Sequence, residues 1–170
     1  MKGNPSGDVI IREAKFRDVQ SILRILNDDI QFGGNTLDHR IWTKTQGIMW
    51  YMRHDPETYP IYVAELDGEV VGYSAINPHR GAIGFERIVE NSIYVDEHYR
   101  RRGIARMLVS RVLEEAKARG YRIMMATIIS HNQASINLHA SLGYEHMSTL
   151  VRGGVRDGRA IDLVLMKRVL

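Results

Sequence analysis

The sequence predicts an α+β domain: a mixed, mostly antiparallel central sheet with a parallel strand–helix–strand unit and helices on both faces. Three observations carry this. Asp67-Gly68 and Asp157-Gly158 each lie between β-rich runs, the pattern of a tight hairpin. The stretch from Arg87 to Ile129 reads strand, apolar-periodic helix, strand, so its two strands should be parallel with a right-handed crossover. The chain has 170 residues, 44% hydrophobic and 25% charged, which suits one domain with a real core.

The elements follow in order. "MKGNPSG" (residues 1–7) reads as a flexible tail, with the domain spanning 8–170. "VIIR" (Val9 to Arg12) is a short first strand. Asp18 caps a helix whose Val19, Ile22, Leu23 and Leu26 keep helical spacing. A second helix falls within Leu37 to His54, with Trp42, Ile48, Met49 and Met52, although Gly47 weakens it. "IYVAEL" and "EVVGYSAI" form the first hairpin, and "RIVENSIYV" (Arg87 to Val95) is the next strand. The helix Gly103 to Arg119 presents Ile104, Met107, Leu108, Val112, Leu113 and Ala116 on one side, and Gly120 stops it. "RIMMATII" (Arg122 to Ile129) is a strand, and "NQASINLHASLGYE" (Asn132 to Glu145) a short helix. Glu145 to Val155 and Arg159 to Val169 close the chain as a hairpin.

Composition excludes several functions. There is no Cys, so disulfides, thiolate metal sites and a Cys nucleophile are out. No metal site is expected. No apolar run approaches a membrane span and no secretory leader is visible, so a cytoplasmic protein without a membrane partner is the default. The net charge of +3 is modest, and basic residues concentrate in "YRRRG" (Tyr99 to Gly103). A nucleic-acid binder would spread them over a face or a helix. One tight cluster beside a glycine suits a compact anion.

"YRRRGIAR" joins a strand to a helix. The first N–H groups of that helix lack intrahelical partners, and its dipole favours an anion there. Gly103 leaves room for a phosphate, and Arg100, Arg101, Arg102 and Arg106 add charge. The spacing is Arg-x-x-Gly-x-Ala, neither a dinucleotide fingerprint nor a P-loop. Taken alone it reads equally well as a solvated basic turn.

This turn resembles the acetyl-CoA signature of the GCN5-related N-acetyltransferase (GNAT) superfamily. "NQASINLHASLGYE" is similar to the motif that follows it in that superfamily, with Asn132, Ser135, Gly143 and Tyr144 at the matching positions. "VENSIYV", the Arg-rich turn and "LHASLGYE" together resemble the phosphinothricin and methionine sulfoximine acetyltransferase branch. The resemblance implies the GNAT fold, acetyl-CoA as co-substrate, a homodimer and a small amino-acid-like amine as acceptor. It places acetyl-CoA against Ile93, Tyr94, Val95, the run Arg100 to Arg106 (including Ile104 and Ala105), Asn132 and Ser135. The chain departs from the branch in "IQFGGNTLDHR", at Ala82 and at Ala160.

Acetyl transfer to an amine needs a neutral nucleophile, an oxyanion donor and a proton source for the leaving thiolate. Glu90, mid-strand, reads alone as a solvent-facing residue; the resemblance makes it a base. On a strand Ile88, Glu90, Ser92 and Tyr94 share one face, with Val89, Asn91, Ile93 and Val95 on the other. On the last helix Asn132, Ser135 and His139 fall on one stripe. Alone, His139 reads as structural; the resemblance makes it an acid/base partner of Glu90. A backbone N–H near Ile93 to Val95 would bind the thioester oxyanion if the two parallel strands splay. Arg80 and Arg87 are candidates to grip a substrate carboxylate. Rival readings are an acetyltransferase acting on a peptide N-terminus, Lys or polyamine, and a non-catalytic CoA-sensing or nucleic-acid-binding module.

Overall fold

The computed structural model describes residues 7–79 and 84–170. Seven strands, β1 (Ile10–Glu13), β2 (Ile61–Leu66), β3 (Glu69–Pro78), β4 (Ile88–Val95), β5 (Ile123–Ile129), β6 (Glu145–Arg156) and β7 (Arg159–Val169), form one sheet. Their order is β1-β2-β3-β4-β5-β7-β6. Four α-helices accompany it: α1 (Val19–Asp28), α2 (Lys44–Arg53), α3 (Ile104–Ala118) and α4 (Gln133–Ser141). β4 and β5 pair in parallel and every other neighbouring pair is antiparallel, as the sequence predicts.

Both Asp-Gly turns have positive φ at each residue, 51° and 80° at Asp67-Gly68 and 50° and 74° at Asp157-Gly158. That is the type I′ geometry which matches strand twist and fixes register. The second helix is shorter than its expected window. Thr43 and Gln46 form a capping box that starts it at Lys44, leaving Trp42 outside. Gly47 belongs inside it: a Cβ there would meet Leu23 Cδ1 at 3.3 Å, so glycine lets α2 lie close on α1.

Strand alternation, shifted once in β3 by the bulge opposite Ala64 and Glu65, divides the core into two layers. Ile61 and Val63 of β2, with Tyr73 and Ala75 of β3, pack with Ile22, Ile25 and Leu26 of α1. Tyr62 and Ala64 of β2, with Val71 and Ile76 of β3, pack with Leu108, Val109 and Val112 of α3. Each fully buried aliphatic side chain contributes about 1.5–3 kcal/mol. The same alternation runs through β4: Val89, Ile93 and Val95 belong to the α3 layer and Tyr94 to the α1 layer. Glu90 therefore shares the α1 face, while Asn91 shares the α3 face.

Candidate active site

β4 and β5 are paired only at Ile88–Ile123, Val89–Met124 and Glu90–Met125, although both strands run on beyond those residues. The gap that follows is the expected splay. Asp96 N donates to Val71 O, which sets the phase of the β3–β4 ladder. By the antiparallel alternation, the N–H groups of Asn91, Ile93 and Val95 then point away from β3, towards the gap. The Ile93 N–H lies past the last β4–β5 pair. Val95 O is taken by Arg100 Nε at 3.1 Å.

A cavity of about 1090 Å³ opens along this gap and continues between α1, α2 and the sheet. At one end lie Arg101, Gly103, Ile104 and Ala105. Gly103 is the N-cap of α3 at φ 79°, so no side chain caps the helix and its first-turn N–H groups are left for an anion. At the other end Trp50, Tyr73 and Tyr94 make an aromatic wall, with Tyr73 and Tyr94 stacked at 5.3 Å and Trp50 edge-on to Tyr73 at 5.9 Å. Glu90, Ser92, Ile93, Tyr94 and Val95 join the two ends.

The four arginines of the turn divide. Arg101, itself at φ 62°, lines the cavity. Arg100 lines it too but also binds buried Asp29 at 3.3 Å, tying the turn to the segment after α1. Arg102 lies over the Tyr99 ring at 5.6 Å, and Arg106 donates to Ser141 Oγ at 2.7 Å, linking α3 to α4. Asn132 and Ser135 line the cavity; the Asn132 side chain accepts from Ser135 N at 3.1 Å and caps α4.

His139 is almost wholly buried, at 1% exposure. Its Nδ1 lies 2.8 Å from Ser135 O, which can only accept, so Nδ1 carries the proton. Its Nε2 then accepts from Asn91 Nδ2 at 3.0 Å, and Asn91 Oδ1 accepts the Tyr144 hydroxyl at 2.7 Å. The Tyr144 ring packs edge-on at 4.8 Å. Burial pushes the His139 pKa down and the Ser135 carbonyl opposes it. His139, expected as an acid/base partner of Glu90, lines the cavity but binds Asn91, the residue on the other face of β4. Glu90 has His79 Nδ1 at 3.4 Å instead.

Arg87 does not enter the cavity. It starts the strand at the end where α3 finishes, and its guanidinium donates to Gly120 O at 3.0 Å, beside Glu57, Arg119 and Tyr121. A cation is well placed near the carboxyl end of a helix. It is thus a tie between β4 and the end of α3 rather than a substrate clamp. Arg80 lies outside the described residues. Sequence reading missed Asn91, whose alternation on β4 already put it opposite Glu90, and Asn77, whose amide donates to Glu90 O at 3.2 Å and Ser92 Oγ at 3.3 Å. It also missed the segment Asn35 to Asp38, which lines the cavity without a periodic signal.

An uncapped helix end beside two splayed parallel strands offers free N–H groups to an anion and to an extended ligand running along the gap. The model of the acetyltransferase (GNAT) family matches residues 19–144, and the chain belongs to that family. It is 37% identical over 163 residues to an L-methionine sulfoximine/L-methionine sulfone acetyltransferase of Pseudomonas paraeruginosa, covering 92% of each chain. It is 33% identical over 157 residues to the L-amino acid N-acyltransferase MnaT of Escherichia coli, covering 92% of this chain and 91% of that one. A crystal structure of a phosphinothricin acetyltransferase from Sinorhizobium meliloti in complex with acetyl-CoA superposes with a TM-score of 0.91 at 29% identity, over 95% of this chain and 88% of that one. The protein is an acetyl-CoA-dependent N-acetyltransferase. Among the described residues no cluster of three or more His, Cys, Asp or Glu could hold a metal.

Proposed function

We propose that this enzyme acetylates the primary amine of a small L-amino-acid-like acceptor by direct attack on acetyl-CoA, with Glu90 as general base. The observation that carries this is Glu90 itself: a carboxylate with a side chain 28% exposed, on the cavity wall between the phosphate turn and the aromatic acceptor end. Acetyl-CoA supplies an activated acetyl group as its thioester. The first-turn N–H groups of α3 and Arg101 bind its pyrophosphate, while Asn132 and Ser135 flank the pantetheine arm. The Ile93 N–H, freed by the splay, donates to the thioester oxygen as charge builds there. Glu90 takes a proton from the incoming ammonium, directly or through one water.

His139 acts in this scheme as a neutral positioning residue. Both of its ring nitrogens are engaged, so it fixes Asn91 on β4 and with it the adjoining strand. The acceptor wall of Trp50, Tyr73 and Tyr94 favours an apolar or polarizable side chain on the amine. The whole of residues 8–170 works as one cytoplasmic domain. A homodimer is supported by edge strand β6, which leaves Met147, Leu150, Val151 and Val155 exposed.

Acetyl-CoA turnover against a panel of L-amino acids, L-methionine sulfone, polyamines and short peptides, read by mass spectrometry, tests the proposal. Acetylated amino acids are expected. Acetylation confined to peptides would move the assignment to a protein-acetylating enzyme, and CoA binding without any acetylated amine would overturn it.

A further inference from the structure

We infer that His79 is a proton outlet for Glu90, an inference that rests on Glu90 being the base. Turnover releases a proton. The acceptor enters as R–NH3⁺ and the products are the amide, CoA–SH and one H⁺ delivered to bulk water. A carboxyl that has taken the proton must lose it before the next cycle. Glu90 faces the cavity, which an acceptor would fill, and on that side its path to water is blocked.

His79 offers the other path. It follows the end of β3, which runs beside β4, and its Nδ1 lies 3.4 Å from Glu90 Oε2. Its side chain is 19% exposed, and it does not line the cavity. The order is therefore cavity, Glu90, His79, solvent. Among the described residues, Glu90 is the one polar partner of this ring. The distance is long for a finished hydrogen bond, as catalytic contacts commonly are before substrate binds. Imidazole is suited to the task because it can take a proton at one ring nitrogen and release one from the other.

Among the described residues, the neighbouring titratable groups are otherwise committed. His54, at the C-cap of α2, holds Trp50 O at 2.8 Å and Asn77 Oδ1 at 3.1 Å. The Glu86 carboxylate accepts from Gly84 N at 2.9 Å. The Phe85 ring, 6.5 Å from the His79 ring, is uncharged.

The step balances. The ammonium gives one proton to the Glu90 carboxylate and becomes the amine nucleophile; as the tetrahedral intermediate collapses and the C–S bond breaks, the nitrogen loses a second proton, which ends on the departing CoA thiolate. The Glu90 carboxyl gives that proton to His79 Nδ1, forming imidazolium. The imidazolium loses its Nε2 proton to water, which leaves Glu90 ionised and His79 neutral, and the ring resets its tautomer through solvent.

The test must separate an outlet from a clamp that merely holds Glu90. Gln at position 79 keeps an N–H donor but cannot carry a proton. Steady-state kinetics with L-methionine sulfone as acceptor are measured for the wild type, H79Q, H79A and E90Q, with and without imidazole in the buffer. The expected result is a kcat at least about tenfold lower in both His79 variants, with the acetyl-CoA KM unchanged and kcat rising with imidazole concentration in H79A. Full activity in H79Q, or no response of H79A to imidazole, overturns the outlet while leaving Glu90 as base. Full activity in E90Q overturns both. If the wild type does not turn over this amine, the acceptor assignment fails separately and the pair is read by ¹⁵N NMR. A His79 titration that does not move in E90Q then overturns the outlet.

Discussion

Asn91 Nδ2 lies 3.0 Å from His139 Nε2, inside the α3 layer of the core. The contact fixes the tautomer of the histidine and holds it against the face of β4 opposite Glu90. His139 therefore contributes to stability in its neutral form. Burial depresses its pKa in the folded state, so on acidification the unfolded chain takes up this proton first, near pH 6.5. The contribution is complete above about pH 6.5 and is lost as pH falls from there towards the folded value. Urea denaturation of the wild type should show this loss on going from about pH 7.5 to about pH 5.5, and His139→Gln should show a shallower dependence. A wild-type midpoint that rises on acidification in this window would contradict the neutral assignment. His139→Ala should cost about 3 kcal/mol, from an orphaned Asn91 amide and a cavity.

The fold was legible because its signals are local. The two Asp-Gly turns fix two hairpins, and the apolar stripe of α3 between two strands fixes the parallel pair. The uncapped start of α3 was legible for the same reason: left-handed Gly103 and its neighbours are backbone features that one short motif encodes. His139 was harder. Helical spacing put it on a stripe with Asn132 and Ser135, but which partner waited at the end of that stripe depended on Asn91, 48 residues away. Arg87 failed similarly, since its partner Gly120 lies 33 residues on and is met only when β4 pairs with β5. The acceptor end was least legible. Asn35 to Asp38 follow a π-helical turn that ends at left-handed Gly34, and no periodicity marks them.

Glu90→Gln keeps the shape of the side chain and removes its basicity. The residue is partly exposed and on the cavity wall, so folding should be unaffected. kcat/KM for the amine should fall about 10²–10⁴-fold, the usual range for a general base. The loss should shrink at high pH, where more of the amine is already neutral. Rates measured from pH 7 to about pH 9.5 check this; a constant deficit across that range would argue against proton abstraction.

Gly103→Ala tests the phosphate turn. The glycine sits at φ 79°, which costs an alanine about 1–2 kcal/mol. Its new Cβ would meet no protein atom within 4 Å, so the fold has space for it. That space is where the proposed pyrophosphate approaches. The acetyl-CoA KM should rise about tenfold or more, the size of one weakened bond to a charged group, while the amine KM stays put. Equal changes in both constants would point to a general distortion instead.

Arg156 should govern the acceptor and leave the cofactor alone. It stands at the end of β6, and its guanidinium donates to Ile30 O at 2.6 Å and to Thr36 O at 2.5 Å, reaching across 126 and 120 residues. Those carbonyls bracket the turn through Gly34, whose following residues Asn35 to Asp38 line the acceptor end. A half-buried fork that bonds both carbonyls holds the segment in one conformation. Arg156→Ala frees it, and each acceptor that binds must then order it again. The amine KM should rise by about tenfold, with the acetyl-CoA KM within about twofold of wild type. Arg156→Lys should recover part of the loss, because one ammonium cannot span both carbonyls as a planar fork does. Initial rates with each substrate varied in turn separate these outcomes. An increase confined to the acetyl-CoA KM would refute the link, since Arg156 touches the acceptor segment and not the phosphate turn.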